Sequence, residues 1–172
     1  MSRRTLYAIL SIGLIGTFLG HGAWAIGGKD TFIELLTGSV DHVFGATMSA
    51  DTGEAIVRVI GGVDLVLAAA MTLMLVGALR GAGALHRFAY SNAALAVYSW
   101  AILWGFATAA ARMTSVGEFF PEVWDLVERA PNWMLPAALA YLVVTTRKAH
   151  PEAPLFVPEG LTQVTTHPEP VR

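Results

Sequence analysis

Four ionisable side chains stand within or at the ends of apolar stretches of this 172-residue sequence: His21, Arg58, Asp64 and Arg112. Such groups can hold a polar ligand or relay a proton, and a histidine can also ligate a metal or haem. Each costs roughly 2.5–3.5 kcal/mol near the middle of a membrane helix, so they turn toward the bundle interior or a water-filled cavity. Asp64 lies deepest and is the first candidate for a functional group. A purely structural role stands beside it, with the carboxyl bonded to His21 or to Asn92 and Ser99 of a later helix. His21 shares a helical face with Thr17 and Gly13, so it is expected to point inward, as a hydrogen-bonded neutral histidine, a ligand or proton-transfer group, or a metal or haem ligand. Arg58 follows Glu54 by four residues, the spacing of an ion pair along a helix. It either borders the site or snorkels to the outer interface. Six residues separate it from Asp64, about 9 Å and about 120° of rotation, so the two border one cavity without sharing a face. Trp24, Trp100, Trp104 and Trp133 gather toward the same end as Arg112, as an aromatic belt or as the flat walls of a pocket. The expected ligand site is a polar pocket in the outer half of a bundle. His21, Glu54, Arg58, Arg112 and Trp104 line it, and Asp64 lies below.

The sequence also excludes chemistry. It has no cysteine, which rules out disulfides, thiol redox catalysis, iron–sulfur clusters and Cys-ligated zinc. It has no H-E-x-x-H, no Gly-rich phosphate loop and no nucleophile elbow. Bis-histidine haem needs two histidines at matching depth, whereas His21 falls near the outside, His86 near the inside and His42 in a loop. No basic patch supports nucleic-acid binding. No resident metal is expected, and the sequence does not identify catalytic residues.

The elements that must position these residues are long and apolar. The chain is 55% hydrophobic and 14% charged, against roughly 25% charged in a soluble domain. Its apolar residues fall in blocks at about residues 5–26, 55–79, 88–111 and 132–146. A span of about 30 Å of hydrocarbon needs about 20 residues at 1.5 Å each. The predicted fold is all-α: a polytopic membrane protein with a four-transmembrane-helix bundle over residues 1–148 and short interfacial helices in the outer loops. Arg3, Arg4 and an apolar run ending in Ala23-Trp24-Ala25 also resemble a signal peptide, but the run exceeds the usual 7–15 residues, roughly, of such a core. Arg3, Arg4, Arg80, Arg87, Arg147 and Lys148 all fall on one side of four crossings. The opposite loops carry Asp30, Glu34, Asp41, Asp51, Glu54, Glu118, Glu122, Asp125 and Glu128. The positive-inside rule therefore puts both termini in the cytoplasm. Residues 31–44 and 118–129 are expected to be short helices lying in the outer interface or capping the bundle. Five of the eight prolines lie beyond His150, so residues 149–172 read as an extended or disordered cytoplasmic tail. Gly16-x-x-x-Gly20, Gly61-Gly62 and Ala68-Ala69-Ala70 are expected to let helix backbones approach.

Three segments resemble the DoxX-like family of small bacterial membrane proteins. The first is Gly16-Thr17-Phe18-Leu19-Gly20-His21-Gly22-Ala23-Trp24-Ala25, where Lys29 comes later than the lysine of the family pattern. The second is Arg58-Val59-Ile60-Gly61-Gly62-Val63-Asp64-Leu65-Val66-Leu67-Ala68, with Asp64 at an acidic position where the family has glutamate. The third is Trp104-Gly105-Phe106-Ala107-Thr108-Ala109 to Arg112, followed by Glu128-Arg129-Ala130-Pro131-Asn132-Trp133. The resemblance covers roughly residues 5–145. It implies a four-helix membrane bundle and, through some relatives, a link to quinone-dependent oxidation, but no catalytic residue carries over.

Three functions compete on these grounds. The first is a non-catalytic, accessory subunit of a larger respiratory or photosynthetic electron-transfer complex in a bacterial inner membrane, or of a homo-oligomer. It rests on the glycine-rich helix faces and the lack of a catalytic motif. The second is a stand-alone binder or redox partner of a small lipid-soluble ligand such as a quinone, which rests on the outer pocket. The third is a proton-coupled transporter or channel, which rests on Asp64 alone.

Overall fold

Serine side chains start the three longest helices. Ser2, Ser49 and Ser91 each accept a hydrogen bond from the backbone N–H three residues on, at 3.1, 3.2 and 3.2 Å, and so satisfy one of the donors a helix start leaves open. The helices that follow are α1 (Arg3–Ile26), α3 (Ala50–Arg80) and α5 (Asn92–Val116). Gly81 and Gly117, both left-handed, end α3 and α5. Between them lie α2 (Asp30–Phe44), α4 (Gly83–Ala89) and α6 (Val123–Glu128), and α7 (Pro131–Ala149) closes the series. The computed structural model describes residues 1–117 and 123–149, and among these there is no strand. The expected helical segment at 118–129 is described only as α6, and the expected tail lies outside the described residues apart from its first position.

Two boundaries depart from the sequence reading. The block expected to run as one helix from residue 88 breaks at Tyr90–Ser91, because Ser91 turns its hydroxyl onto the N–H of Ala94 and restarts the helix. The segment before the break is the separate helix α4. The helix expected from residue 55 begins instead at Ala50, behind the Ser49 cap.

α1, α3 and α5 are each long and apolar enough to cross a membrane. α7, expected as a fourth span, has 19 residues and carries Asn132, Thr145, Thr146, Arg147 and Lys148, which dilute its apolar character. α1 packs on α3 and α7, α7 packs on α5, and α2 lies across the gap between α3 and α5. The core runs along the axis through Leu14, Phe18, Ala68, Met71, Met74, Leu139 and Val143. At one end Arg4 donates to the Leu79 carbonyl in the last turn of α3, and Arg147 donates to Asn92 Oδ1 at 3.0 Å.

The close approaches are made by glycines, though not by the pair expected on α1. A methyl group added at Gly16 or Gly20 would meet nothing within 4 Å, and both residues are exposed. α1 and α3 instead touch at Gly22 and Gly61, where a Cβ on Gly61 would lie 2.8 Å from the Gly22 carbonyl oxygen. α5 meets α7 at Gly105, which lies directly against the Asn132 carbonyl. Pro136, four residues after Asn132 and inside α7, has no N–H to take up that carbonyl within the helix.

Within the core, Tyr7 and Tyr98 are 2% and 1% exposed and share a hydroxyl–hydroxyl bond of 2.7 Å. Removing one hydroxyl strands the other in an apolar interior, which costs about 1–3 kcal/mol. Tyr7→Phe is therefore expected to unfold at lower temperature in detergent. The double variant Tyr7→Phe/Tyr98→Phe is expected to recover most of the loss, because neither tyrosine hydroxyl is left without the other. Equal losses in the single and double variants would show that the pair contributes nothing.

Candidate functional site

The Gly22–Gly61 crossing fixes where the polar side chains fall. His21 is next to Gly22 on α1, and Asp64 lies one turn inward of Gly61 on α3. Trp104 is next to Gly105, where α5 meets α7. These residues surround a cavity of about 410 Å³, within the roughly 300–1,000 Å³ of small-molecule sites. Leu35, Leu36, Val40 and Val43 of α2 form its apolar wall, and Arg112 and Thr114 of α5 lie farther out.

α2 is held against α5 by polar contacts and close packing. Ser39 Oγ lies 2.8 Å from Thr114 Oγ1 and donates to the Ala111 carbonyl at 3.3 Å. A Cβ on Gly38 would lie 2.6 Å from the Ser115 carbonyl oxygen, so only glycine admits this approach. No residue of α2 is fully buried, so its apolar face serves the cavity rather than a dry core.

Asp64 is 3% exposed and lines the cavity. Its Oδ1 has no hydrogen-bond partner among the described residues, and Trp104 lines the same cavity. The expected partners Asn92 and Ser99 do not reach it: Asn92 is bound to Arg147 at the other end of α5, and Ser99 is exposed. His21 meets Phe32 of α2 edge-on at 5.9 Å between ring centroids. Arg112 Nη1 stands 3.9 Å from Asp125 Oδ2, at the limit of an ion pair. Among the described residues no three His, Asp or Glu side chains converge as metal ligands.

Arg58 corrects the sequence reading. Its side chain is 56% exposed and pairs with Glu54 at 2.5 Å, beside Gly28 at the end of α1, and it does not line the cavity. The rotation of about 120° between positions 58 and 64 carries it out of the site. Arg58→Gln is expected to leave ligand binding unchanged and to shift stability by no more than about 0.5 kcal/mol, as for exposed i,i+4 pairs. A drop in binding of tenfold or more would return Arg58 to the site.

The tryptophans divide. Trp104 is a cavity wall, whereas Trp24 and Trp100 are 55% and 49% exposed. Trp133 packs edge-on against Phe106 at 6.0 Å, away from the cavity lining. The sequence reading did not place in the site Arg129, in the turn after α6, or Asn132, in the first turn of α7, both of which line the cavity. It also missed the α2 wall, although the spacing of Leu36, Val40 and Val43 carried that signal. Arg129 and Asn132 fall in the third segment that resembles the DoxX-like family, but spacing alone did not assign either to the pocket.

Comparison with protein-family models, with curated proteins and with solved structures gives no match. The architecture itself defines an all-helical membrane protein with a ligand-sized cavity at one end of its helices.

Proposed function

We propose that this protein is a four-helix bundle of a bacterial inner membrane, with α7 as the fourth crossing and both termini in the cytoplasm. In this reading it binds a small lipid-soluble amphiphile in the outer cavity, with Asp64 as the polar anchor. The observation that carries the reading is the Asp64 carboxyl, buried inside a cavity with Oδ1 unpartnered. A buried polar atom without a partner is destabilising unless something arrives to meet it. A hydrogen-bonding group on a flat or chain-like molecule meets that need, and the apolar face of α2 covers the rest. A quinone-type ring set against Trp104 is one such ligand. The basic residues Arg4, Arg80 and Arg147 at the opposite end support the orientation. The test is extraction from native membranes in mild detergent, followed by mass spectrometry of the bound small molecules. A stoichiometric amphiphile that is lost in Asp64→Asn supports the reading. A ligand-free wild type, or equal retention in Asp64→Asn, ends it.

A second reading, an accessory subunit or homo-oligomer, rests on Gly16 and Gly20. These lie exposed on one face of α1 with open space beside them, where another helix can pack. The same extraction, analysed for polypeptides, recovers a partner chain if this reading is right.

A further inference from the structure

The cavity holds a second unmet polar group, and its sign narrows the ligand. Arg129 lines the cavity from the turn before α7. Its Nε is buried with no hydrogen-bond partner, and no ion pair of Arg129 is found among the described residues. The rim carboxylate in its own turn, Asp125, faces Arg112 at 3.9 Å and gives Arg129 only a backbone contact, the Arg129 N–H donating to the Asp125 carbonyl at 3.2 Å. Arg129 is also within electrostatic reach of His21, so its charge is felt across the cavity. A guanidinium stays protonated whatever its surroundings, and its planar fork fits carboxylate or phosphate oxygens. Among the described residues two guanidiniums, Arg112 and Arg129, thus line a mostly apolar cavity that also holds the Asp64 carboxyl, and Asp125 stands beside Arg112 alone.

We infer that the ligand is a single-chain amphiphile with an anionic head, a carboxylate or a phosphate, docked on Arg129 at the outer mouth with Arg112 and the Asn132 amide beside it. The inference rests on the cavity reading above and adds the charge of the head. The head lies toward Arg129, the chain lies along α2, and a second polar group on the chain reaches Asp64. A volume of about 410 Å³ suits one chain or a small ring, and is too small for both acyl chains of a whole phospholipid.

The test compares a brominated long-chain hydroxy acid with its methyl ester, two probes that differ only in the charge of the head. Bromine quenches tryptophan on contact, and the quenching missing in Trp104→Phe is the part that reports the cavity. At neutral pH in uncharged detergent the acid is expected to bind at least about tenfold more tightly than the ester, as a charge-assisted pair requires. Arg129→Gln is expected to bring the two within about twofold, and Arg129→Lys to keep most of the preference. Competition by a single-chain lysophosphatidic acid, set against competition by an unlabelled fatty acid, decides between phosphate and carboxylate. If acid and ester bind wild type equally, or if Arg129→Gln keeps the preference, the anionic head is wrong while the cavity reading stands. If neither probe gives Trp104-dependent quenching, the cavity reading fails and takes this inference with it. Should Arg129→Gln not survive extraction, the wild-type ratio of acid to ester decides alone.

Discussion

Asp64→Leu unfolds at a higher temperature than the wild type and retains no amphiphile. Both effects follow from the same atoms. Asp64 is 3% exposed, and its Oδ1 is unpartnered among the described residues. Exchanging such a group for an apolar one of similar size removes a desolvation penalty of about 1–3 kcal/mol. The cavity then keeps Arg112, Arg129 and Asn132 in its lining but has no group at its base to meet a second polar group on the ligand, and the loss of that buried hydrogen bond corresponds to tenfold or more in affinity. Opposite signs for stability and binding are what mark a functional residue, since a structural one loses both. Thermal unfolding in detergent beside ligand retention reads the two together. A destabilised Asp64→Leu would make the carboxyl a structural group and would remove the main support for the proposed site.

Gly61→Leu does not assemble into a stable bundle. A Cβ there would stand 2.8 Å from the Gly22 carbonyl oxygen, the Ile26 nitrogen and the Ala25 Cβ. Two of these are backbone atoms, which move only if α1 and α3 separate along their length. The loss should exceed the about 1–3 kcal/mol of ordinary overpacking. Because His21 adjoins this crossing and Asp64 lies one turn from it, any variant that survives should also lose the cavity. The neighbouring Gly62→Ala meets nothing within 4 Å and should stay within about 0.5 kcal/mol of wild type. Unfolding in detergent, followed by circular dichroism, separates the two. Equal stability of Gly61→Leu and wild type would mean that the α1–α3 crossing lies elsewhere.

Much of the architecture was legible in the sequence because its causes are local. A run of apolar residues makes a helix of fixed rise, although the serine caps that set where two of these helices start were not read. A carboxylate in the middle of such a run must face inward, whatever the partner helices are. Asp64, His21, Trp104 and Arg112 were therefore found as candidates, and the structure gathers all four around one cavity. The apolar spacing within α2 was legible in the same way, although its use as a wall was not.

Other features were decided by tertiary structure, because they depend on where helices cross. Gly16 and Gly20 carry the packing signature and Gly22 does not, yet Gly22 makes the contact. Spacing along one helix says which residues share a face, but not which face meets a neighbour. The same limit exchanged one arginine for another. Arg58 sits on the helix that carries Asp64 and turns outward to Glu54. Arg129 comes from a distant turn and is brought to the cavity because Gly105 lets α7 start against α5. The sequence by itself determined that helices form and that a carboxylate is buried among them, since both follow from short-range geometry and the solvation of charge. Only the tertiary structure decided which cation shares the cavity with that carboxylate, because that depends on the close approach of backbones far apart in the chain.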